Sequence, residues 1–371
     1  MKTTVLIICG SEFKYNVAGA SRAWHIATEL NNLDIVTLVV TKKAQRDSIT
    51  GKNIIAVNPL FNVGLFGNLL FLIQISSAVI RILFSTKIGK VIVRGPWLSP
   101  LFILFKFLHK DIIYDFHGYG HKEKIVQGSK MFAKIVAPFD WLALKLSDHV
   151  LVIREELRQD LPSEFQKKAL LLPNGVDLEE FTAIDNRTIL ARYVLPEGKL
   201  LVGFIGNWEA WVAIEDMLES AQYFDDNIKI VIIGEGRKFK EYKLAYPSIL
   251  FTGRIPHIDT IALLKTMAVC ICPYSTVLIA KNKSYRKVLE YLAAGKPIVS
   301  SNAKSRESFL KEGENTLIYD AGHPEDLAAK VKTILNDAKL YHKMSCTNLD
   351  LAKQFSWKEV INRSGLVELL H

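Results

Sequence analysis

The feature that most constrains this chain is a recurrence of short, almost wholly apolar runs separated by amphipathic stretches. In the first half the runs are Thr4–Cys9, Asp34–Thr41, Asn53–Val57, Lys90–Arg94, Asp111–Phe116, His149–Ile153 and Ala169–Leu172. The second half continues with Leu200–Ile205, Lys229–Ile233, Ile249–Thr252, Val269–Cys272, Ile298–Ser300 and Thr316–Tyr319. A strand apolar on both faces is covered on both faces, which is the pattern of a parallel sheet wrapped by helices. Segments such as Val212–Gln222, Ile258–Thr266 and Pro324–Leu335 supply the helices. The expected fold class is α/β, with two doubly wound, Rossmann-like domains in tandem.

The 371 residues, 49% hydrophobic and 23% charged, suffice for two cores and exclude a disordered or fibrous chain. Without a low-complexity tract or short-period repeat, a solenoid or propeller is not expected. Pro173-Asn174-Gly175 ends a strand and the polar stretch after it lacks periodicity, which places the boundary near residue 180. The expected organisation is a first domain of residues 1–180 and a second that begins at 181.

Cys9, Cys270, Cys272 and Cys346 show no CxxC spacing and no histidine cluster beside them, so a reduced, cytosolic chain without a cysteine metal site is expected. The amino-terminal apolar run is too short for a secretory core and reads as a first strand. Gly10-Ser11-Glu12-Phe13 follows it, where a nicotinamide-binding domain would carry G-x-G-x-x-G; a dehydrogenase is disfavoured.

The net charge of +9 is one-sided. Residues 1–146 hold 18 Lys and Arg against 8 Asp and Glu, and no acidic residue stands between Asp47 and Asp111. Among those cations lie Phe66, Phe71, Trp97, Phe102, Phe105 and Phe107. A stretch both basic and greasy favours an anionic membrane surface over nucleic acid, although the aromatics could simply fill a core. Residues 53–80 are uncharged but interrupted by polar residues, and predict a buried or surface-lying helix rather than a span.

In tandem α/β domains, ligands are expected just beyond the carboxyl ends of the strands. Lys281 through Pro297 is the richest such segment. Ser284 is a good N-cap, Val288, Leu289 and Leu292 form a buried stripe, and Gly295 with Pro297 ends the helix. Lys281, Lys283, Arg286 and Lys287 crowd its amino end, where the macrodipole is already positive, an arrangement that an anion such as a diphosphate would repay, the alternative being a solvated basic face. Glu290 lies one turn deeper and could accept both hydroxyls of a ribose, or merely pair with Arg286 or Lys287. The Gly203-Phe204-Ile205-Gly206-Asn207 and Gly234-Glu235-Gly236 turns allow close backbone approach. His117 follows an apolar strand and could hydrogen-bond a sugar hydroxyl or phosphate. Gly19 and Arg22 open the first helix and offer a second helix amino end.

Taken in order, Pro173-Asn174-Gly175-Val176-Asp177, Gly203-Phe204-Ile205-Gly206, Val231–Gly236, Phe251-Thr252-Gly253-Arg254 and Lys287–Pro297 resemble the GT-B glycosyltransferases of family 4, the glycosyl transferases group 1. The resemblance implies an EC 2.4 hexosyltransferase that uses a nucleotide sugar, UDP- or GDP-linked, with retention and without a metal. It implies an amino-terminal acceptor domain, with Gly19 and Arg22 on the acceptor side, and a carboxyl-terminal donor domain. Phe355-Ser356-Trp357-Lys358 resembles the family's last helix, which returns to the first domain, so the resemblance implies 181–355 as the second domain and 356–371 as that terminal helix. Gly206, Asn207, Arg254, Ile255, Lys283, Ser284, Lys287 and Glu290 would then bind the donor, with Glu290 on the ribose and Arg254 to Ile255 near the base. His117, Asn282 and Glu290 would form the catalytic group.

Two positions depart from the family pattern. Asn282 stands where the partner glutamate of Glu290 is usual, and Asn207, Trp208, Trp211 and Val212 occupy the region of the usual Arg and Lys after Gly206. Diphosphate neutralisation would then fall on Lys283, Lys287 and Arg254. The expected acceptor is a glycan or lipid-linked glycan at the cytoplasmic membrane face. A nucleotide-sugar epimerase or a non-catalytic GT-B subunit are the alternatives.

Overall fold

The computed structural model describes residues 4–12, 18–43, 53–59, 64–126, 128–183, 186–208, 211–276, 286–304 and 306–371. They form two compact units, Met1–Asn174 joined by Trp357–His371, and Gly175–Ser356.

The first unit is built on a seven-stranded parallel sheet: β1 (Thr4–Glu12), β2 (Thr37–Lys42), β3 (Ile54–Val57), β4 (Ile88–Arg94), β5 (Asp111–Phe116), β6 (His149–Val152) and β7 (Ala169–Leu171), in the order β3-β2-β1-β4-β5-β6-β7. β1 pairs on one side with β2 and on the other with β4, with Cys9 opposite Arg94. The chain builds outward from β1 to β3 and then returns to start again at β4. That reversal separates the loops leaving β1 and β4 and opens a crevice at their carboxyl ends.

The second unit repeats the plan with six parallel strands: β8 (Leu200–Ile205), β9 (Ile228–Ile233), β10 (Leu250–Gly253), β11 (Val269–Cys272), β12 (Ile298–Ser301) and β13 (Thr316–Tyr319), ordered β10-β9-β8-β11-β12-β13. Its reversal lies between β8 and β11. All thirteen apolar runs are strands. Their ends shift where the backbone turns: Asp34 adopts φ 61° in a turn, so β2 begins at Thr37 and not at Asp34.

Both cores carry the residues that the pattern marks. Leu6, Ile8, Val91, Val93, Tyr114 and Phe116 are buried in the first, and Val231, Ile233, Val288, Leu289 and Leu292 in the second. Burying a side chain of this size contributes about 1.5–3 kcal/mol.

The helix Gly64–Ser85 buries Phe71, Ile75, Val79 and Ile82 at helical spacing and leaves Leu69, Ile73 and Phe84 bare. Among the described residues no helix is long and apolar enough to cross a membrane. The aromatics of the basic stretch divide: Phe71, Phe102 and Phe105 fill the core, Trp97 packs on Phe139, and Phe107 is exposed.

The first unit ends at Asn174, a few residues before the expected boundary. Val176 donates to the Phe355 carbonyl (2.8 Å) and Phe181 enters the second core, so the chain commits to the second unit at once. The tail forms two helices, Trp357–Arg363 and Leu366–Leu370, broken at Gly365 with φ 73°. Trp357 stacks on His25 of the first unit at 5.0 Å.

Candidate active site

In the second unit the switch point is built by one helix, Arg286–Ala293. Its Tyr291 hydroxyl accepts from the Ile205 N–H (3.0 Å) and donates to the Ile271 carbonyl (3.4 Å), which ties the helix to β8 and β11 together. This fixes Lys287 over the carboxyl end of β8. Its Nζ lies 3.9 Å from the centroid of the Phe204 ring, and both Cε and Nζ are 3.5 Å from where a Cβ on Gly206 would stand. Burial lowers the Lys287 pKa to about 8, against the opposing pull of Cys272 and Glu290. A cation held against its desolvation at the end of a strand is a group whose cost an anion would relieve.

Glycines make the surrounding backbone possible. Gly206 (φ 112°) and Gly234 (φ 126°) lie side by side, and a Cβ on Gly234 would come within 2.3 Å of the Gly206 carbonyl oxygen. No other residue fits there. Asn207 is exposed just beyond. Trp208, by contrast, is sealed, donating Nε1–H to the Arg237 carbonyl at 2.9 Å. The space where the family pattern has cations is thus partly taken up by core.

Glu290 is half-buried and pairs with Arg286 at 3.5 Å. That pairing is the alternative the sequence leaves open for Glu290, with Arg286 lying along the helix toward the carboxylate. Arg254 is exposed and pairs with Glu235 at 3.4 Å, while Ile255 packs against the second core. Asn282, Lys283 and Ser284, with Lys281, lie outside the described residues.

In the first unit the carboxyl ends of β4 and β5 hold an ionic cluster around Asp115, which is almost sealed from solvent. Arg22 Nε donates to both of its oxygens (3.1 and 3.2 Å), Arg94 Nη1 to Oδ2 (3.1 Å), and His117 Nε2 lies 3.1 Å from Oδ2. Arg94 Nη1 also contacts His117 Nε2. Burial alone would raise the Asp115 pKa, but Arg22, His117 and Arg94 hold it far below the carboxylate range. Burial and then Arg94 lower His117 to about 3, so its imidazole is neutral at physiological pH.

Arg22 does not face an acceptor, contrary to expectation. Its guanidinium is wholly enclosed, donating to the Leu172 and Pro173 carbonyls (2.9 and 2.8 Å) as well as to Asp115. One turn inside the helix Ala18–Asn32, its side chain runs into the protein and supports His117 from behind; Gly19 is in that helix's first turn. Asp115 and Arg94 escaped sequence reasoning. The available signal was a polar residue at the end of two consecutive apolar strands.

The family described as glycosyl transferases group 1 matches residues 185–348, and the one described as Glycosyltransferase Family 4 matches residues 19–180. The chain belongs to the group 1, family 4 glycosyltransferases. An uncharacterized glycosyltransferase of Methanocaldococcus jannaschii is 20% identical to this family 4 chain over 58% of it and 57% of the relative. Phosphatidyl-myo-inositol mannosyltransferase of Mycobacterium leprae is 23% identical over 58% of each. The matched region thus spans little more than half the length of these curated relatives. The crystal structure of Anabaena HepE in complex with UDP and glucose superposes with a TM-score of 0.73 at 14% identity, covering 99% of both chains. The shared fold is GT-B, two Rossmann-like α/β domains.

Proposed function

We propose that this chain transfers a hexose from a nucleoside-diphosphate sugar to a glycan or lipid-linked acceptor, with retention and without a metal, working at the inner face of a membrane. The observation that carries the reading is Lys287 held over Gly206 at the switch point of β8 and β11, with Glu290 one turn further along the same helix. The proposal gives the Lys287 ammonium the diphosphate, Gly206 and Asn207 the backbone facing it, Glu290 the ribose, and Arg254 with Ile255 the base. Lys283, Ser284 and Asn282 are assigned to the same donor. HepE of Anabaena, on the same fold, binds UDP and glucose, which supports a nucleotide-sugar partner.

In the reaction, the bond from the sugar C1 to the diphosphate oxygen breaks and its electron pair leaves with the diphosphate. The acceptor oxygen bonds C1 on the same face and its proton passes to the departing phosphate. Lys287 stabilises the charge that develops there. Neutral His117 hydrogen-bonds the sugar; no side chain is assigned as nucleophile.

Bare apolar side chains support contact with a membrane surface. Phe84 is 89% exposed and Phe107 80%, and Arg81 and Lys87 follow the same stretch of chain. A groove of about 650 Å³ between β3 and the helix Gly64–Ser85 is lined by Ile55, Val57, Ile73, Ala78 and Ile82, with Arg81 among them. Anionic liposomes should retain the protein at low salt and release it at high salt.

A thermal-shift panel of UDP-, GDP-, dTDP- and ADP-sugars tests the activity. One base class should raise the melting temperature, since a ligand at a hundred times its Kd stabilises by about 2.7 kcal/mol. A flat response to all four would sink the reading.

A further inference from the structure

The carboxyl ends of the neighbouring strands β4 and β5 repeat one local pattern. A basic residue is followed by a glycine in the left-handed region, Arg94-Gly95 with φ 107° and His117-Gly118 with φ 114°. A Cβ added to either glycine would meet nothing within 4 Å, so both loops border open space. β4 is also a strand of the switch point, where doubly wound sheets take their ligands.

Charge at this mouth does not balance. Arg22 by itself matches the single charge of Asp115, its one Nε–H shared between both carboxylate oxygens from a fully enclosed position. Arg94 is therefore a second cation on a carboxylate that one already neutralises. His117 adds no charge, because burial and Arg94 hold its pKa near about 3. One positive charge is left over. It meets solvent through the two side chains that are partly open, Arg94 (17%) and His117 (22%), whereas Asp115 is 3% exposed and Arg22 is sealed. Among the described residues Arg94 engages Asp115 and His117 through Nη1, and its Nε and Nη2 donate to nothing. Three N–H donors of a planar fork thus stand ready for an anion, the geometry that suits a phosphate oxygen pair.

We propose that Arg94 binds a phosphate group carried by the acceptor, so that the substrate class is a phosphorylated sugar, polyol or lipid headgroup. This rests on the transferase reading above, and it adds that the acceptor's anion lies next to His117. Arg22 is a positioning residue here, since it holds Asp115, which in turn orients both Arg94 and His117.

The test follows the Arg Nε–Hε and His ring signals of the full chain by nitrogen-15 NMR while inorganic phosphate, glucose 6-phosphate, glucose or dihexanoyl phosphatidylglycerol is added. Phosphate and at least one of the two esters should shift the Arg94 and His117 signals saturably. Glucose should not, and the sealed Arg22 signal should stay in place. A response to glucose 6-phosphate marks a soluble acceptor, a response to the lipid alone a headgroup. Arg94→Gln should weaken phosphate at least tenfold, the loss expected for charge-assisted bonds, and Arg94→Lys should restore part of the affinity. Silent Arg94 and His117 signals up to about 50 mM phosphate would overturn the proposal, as would equal affinity in Arg94→Gln. The wild-type titration decides this even if Arg94→Gln fails to fold. UDP is titrated alongside: UDP binding with a silent Arg94 refutes this site alone, whereas a responsive Arg94 without nucleotide binding refutes the transferase reading and leaves the site.

Discussion

Replacing Lys287 by methionine keeps an unbranched apolar stem against Phe204 and removes the ammonium. A hydrogen bond to a charged group contributes about 1.5–3 kcal/mol, so the nucleoside diphosphate should bind roughly ten- to 150-fold more weakly. The pH dependence sharpens the test. The unliganded ammonium titrates at about 8 because it is buried. Only the protonated form offers a charge to the phosphates, so wild-type affinity should be level below pH 8. Above that it should fall, approaching tenfold per pH unit, until the raised pKa of the liganded lysine is reached.

Stability runs the other way. The folded pKa lies below the ordinary 10.5 of lysine, so between pH 8 and 10.5 the unfolded chain binds more protons and the unliganded fold gains stability as pH rises. The gain is at most about 3 kcal/mol. Lys287→Met should abolish both slopes at once. Calorimetric titration of UDP at pH 7, 8, 9 and 10, with melting curves at each pH, reads them separately. A methionine variant within twofold of wild type at pH 7, or a wild-type affinity flat to pH 10, would refute the role given to Lys287.

Three further outcomes follow from the same geometry. Glu290→Ala should bind UDP about tenfold more weakly and lose the preference for UDP over 2′-deoxy-UDP, which tests whether this carboxylate reads the ribose beyond its pairing with Arg286. His117→Asn should lower kcat, yet the wild-type rate profile should carry no step near 6.5, because the neutral imidazole is lost only as pH falls toward about 3; a step at 6.5 that vanishes in the variant would contradict this. Gly234→Ala, whose methyl would stand 2.3 Å from the Gly206 oxygen at φ 126°, should cost about 2–4 kcal/mol and lower the melting temperature by several degrees; unchanged melting would disprove that close approach.

The two sheets were legible in the sequence because a strand buried on both faces writes its burial into consecutive residues, as Ile228–Ile233 does. The Val288, Leu289 and Leu292 stripe and the stop at Gly295 were legible for the same local reason. Long-range pairing was not. Arg22 and Asp115 are 93 residues apart, and nothing in Gly19-Ala20-Ser21-Arg22 distinguishes a guanidinium aimed at solvent from one aimed inward at a buried carboxylate. The i,i+4 spacing of Arg286 and Glu290 was legible too, and the two side chains pair at 3.5 Å as that spacing allows.

Each sheet reverses its strand order once, and a cation stands at each reversal, Lys287 beside β8 and Arg94 at the end of β4. Their chemistry separates them. A buried lysine can shed its proton and thereby escape the desolvation cost, as the pKa of about 8 records. Arginine cannot do so at any pH a protein survives, and its charge must be balanced by geometry, which is what sharing Asp115 with Arg22 partly provides. If Lys287 serves the donor and Arg94 the acceptor, one pH jump tells them apart. Going from pH 7 to 10 should weaken UDP binding by more than tenfold and leave phosphate binding at Arg94 nearly unchanged. Parallel losses at both sites would mean that the two anions share a single cation, and would break the division of labour between them.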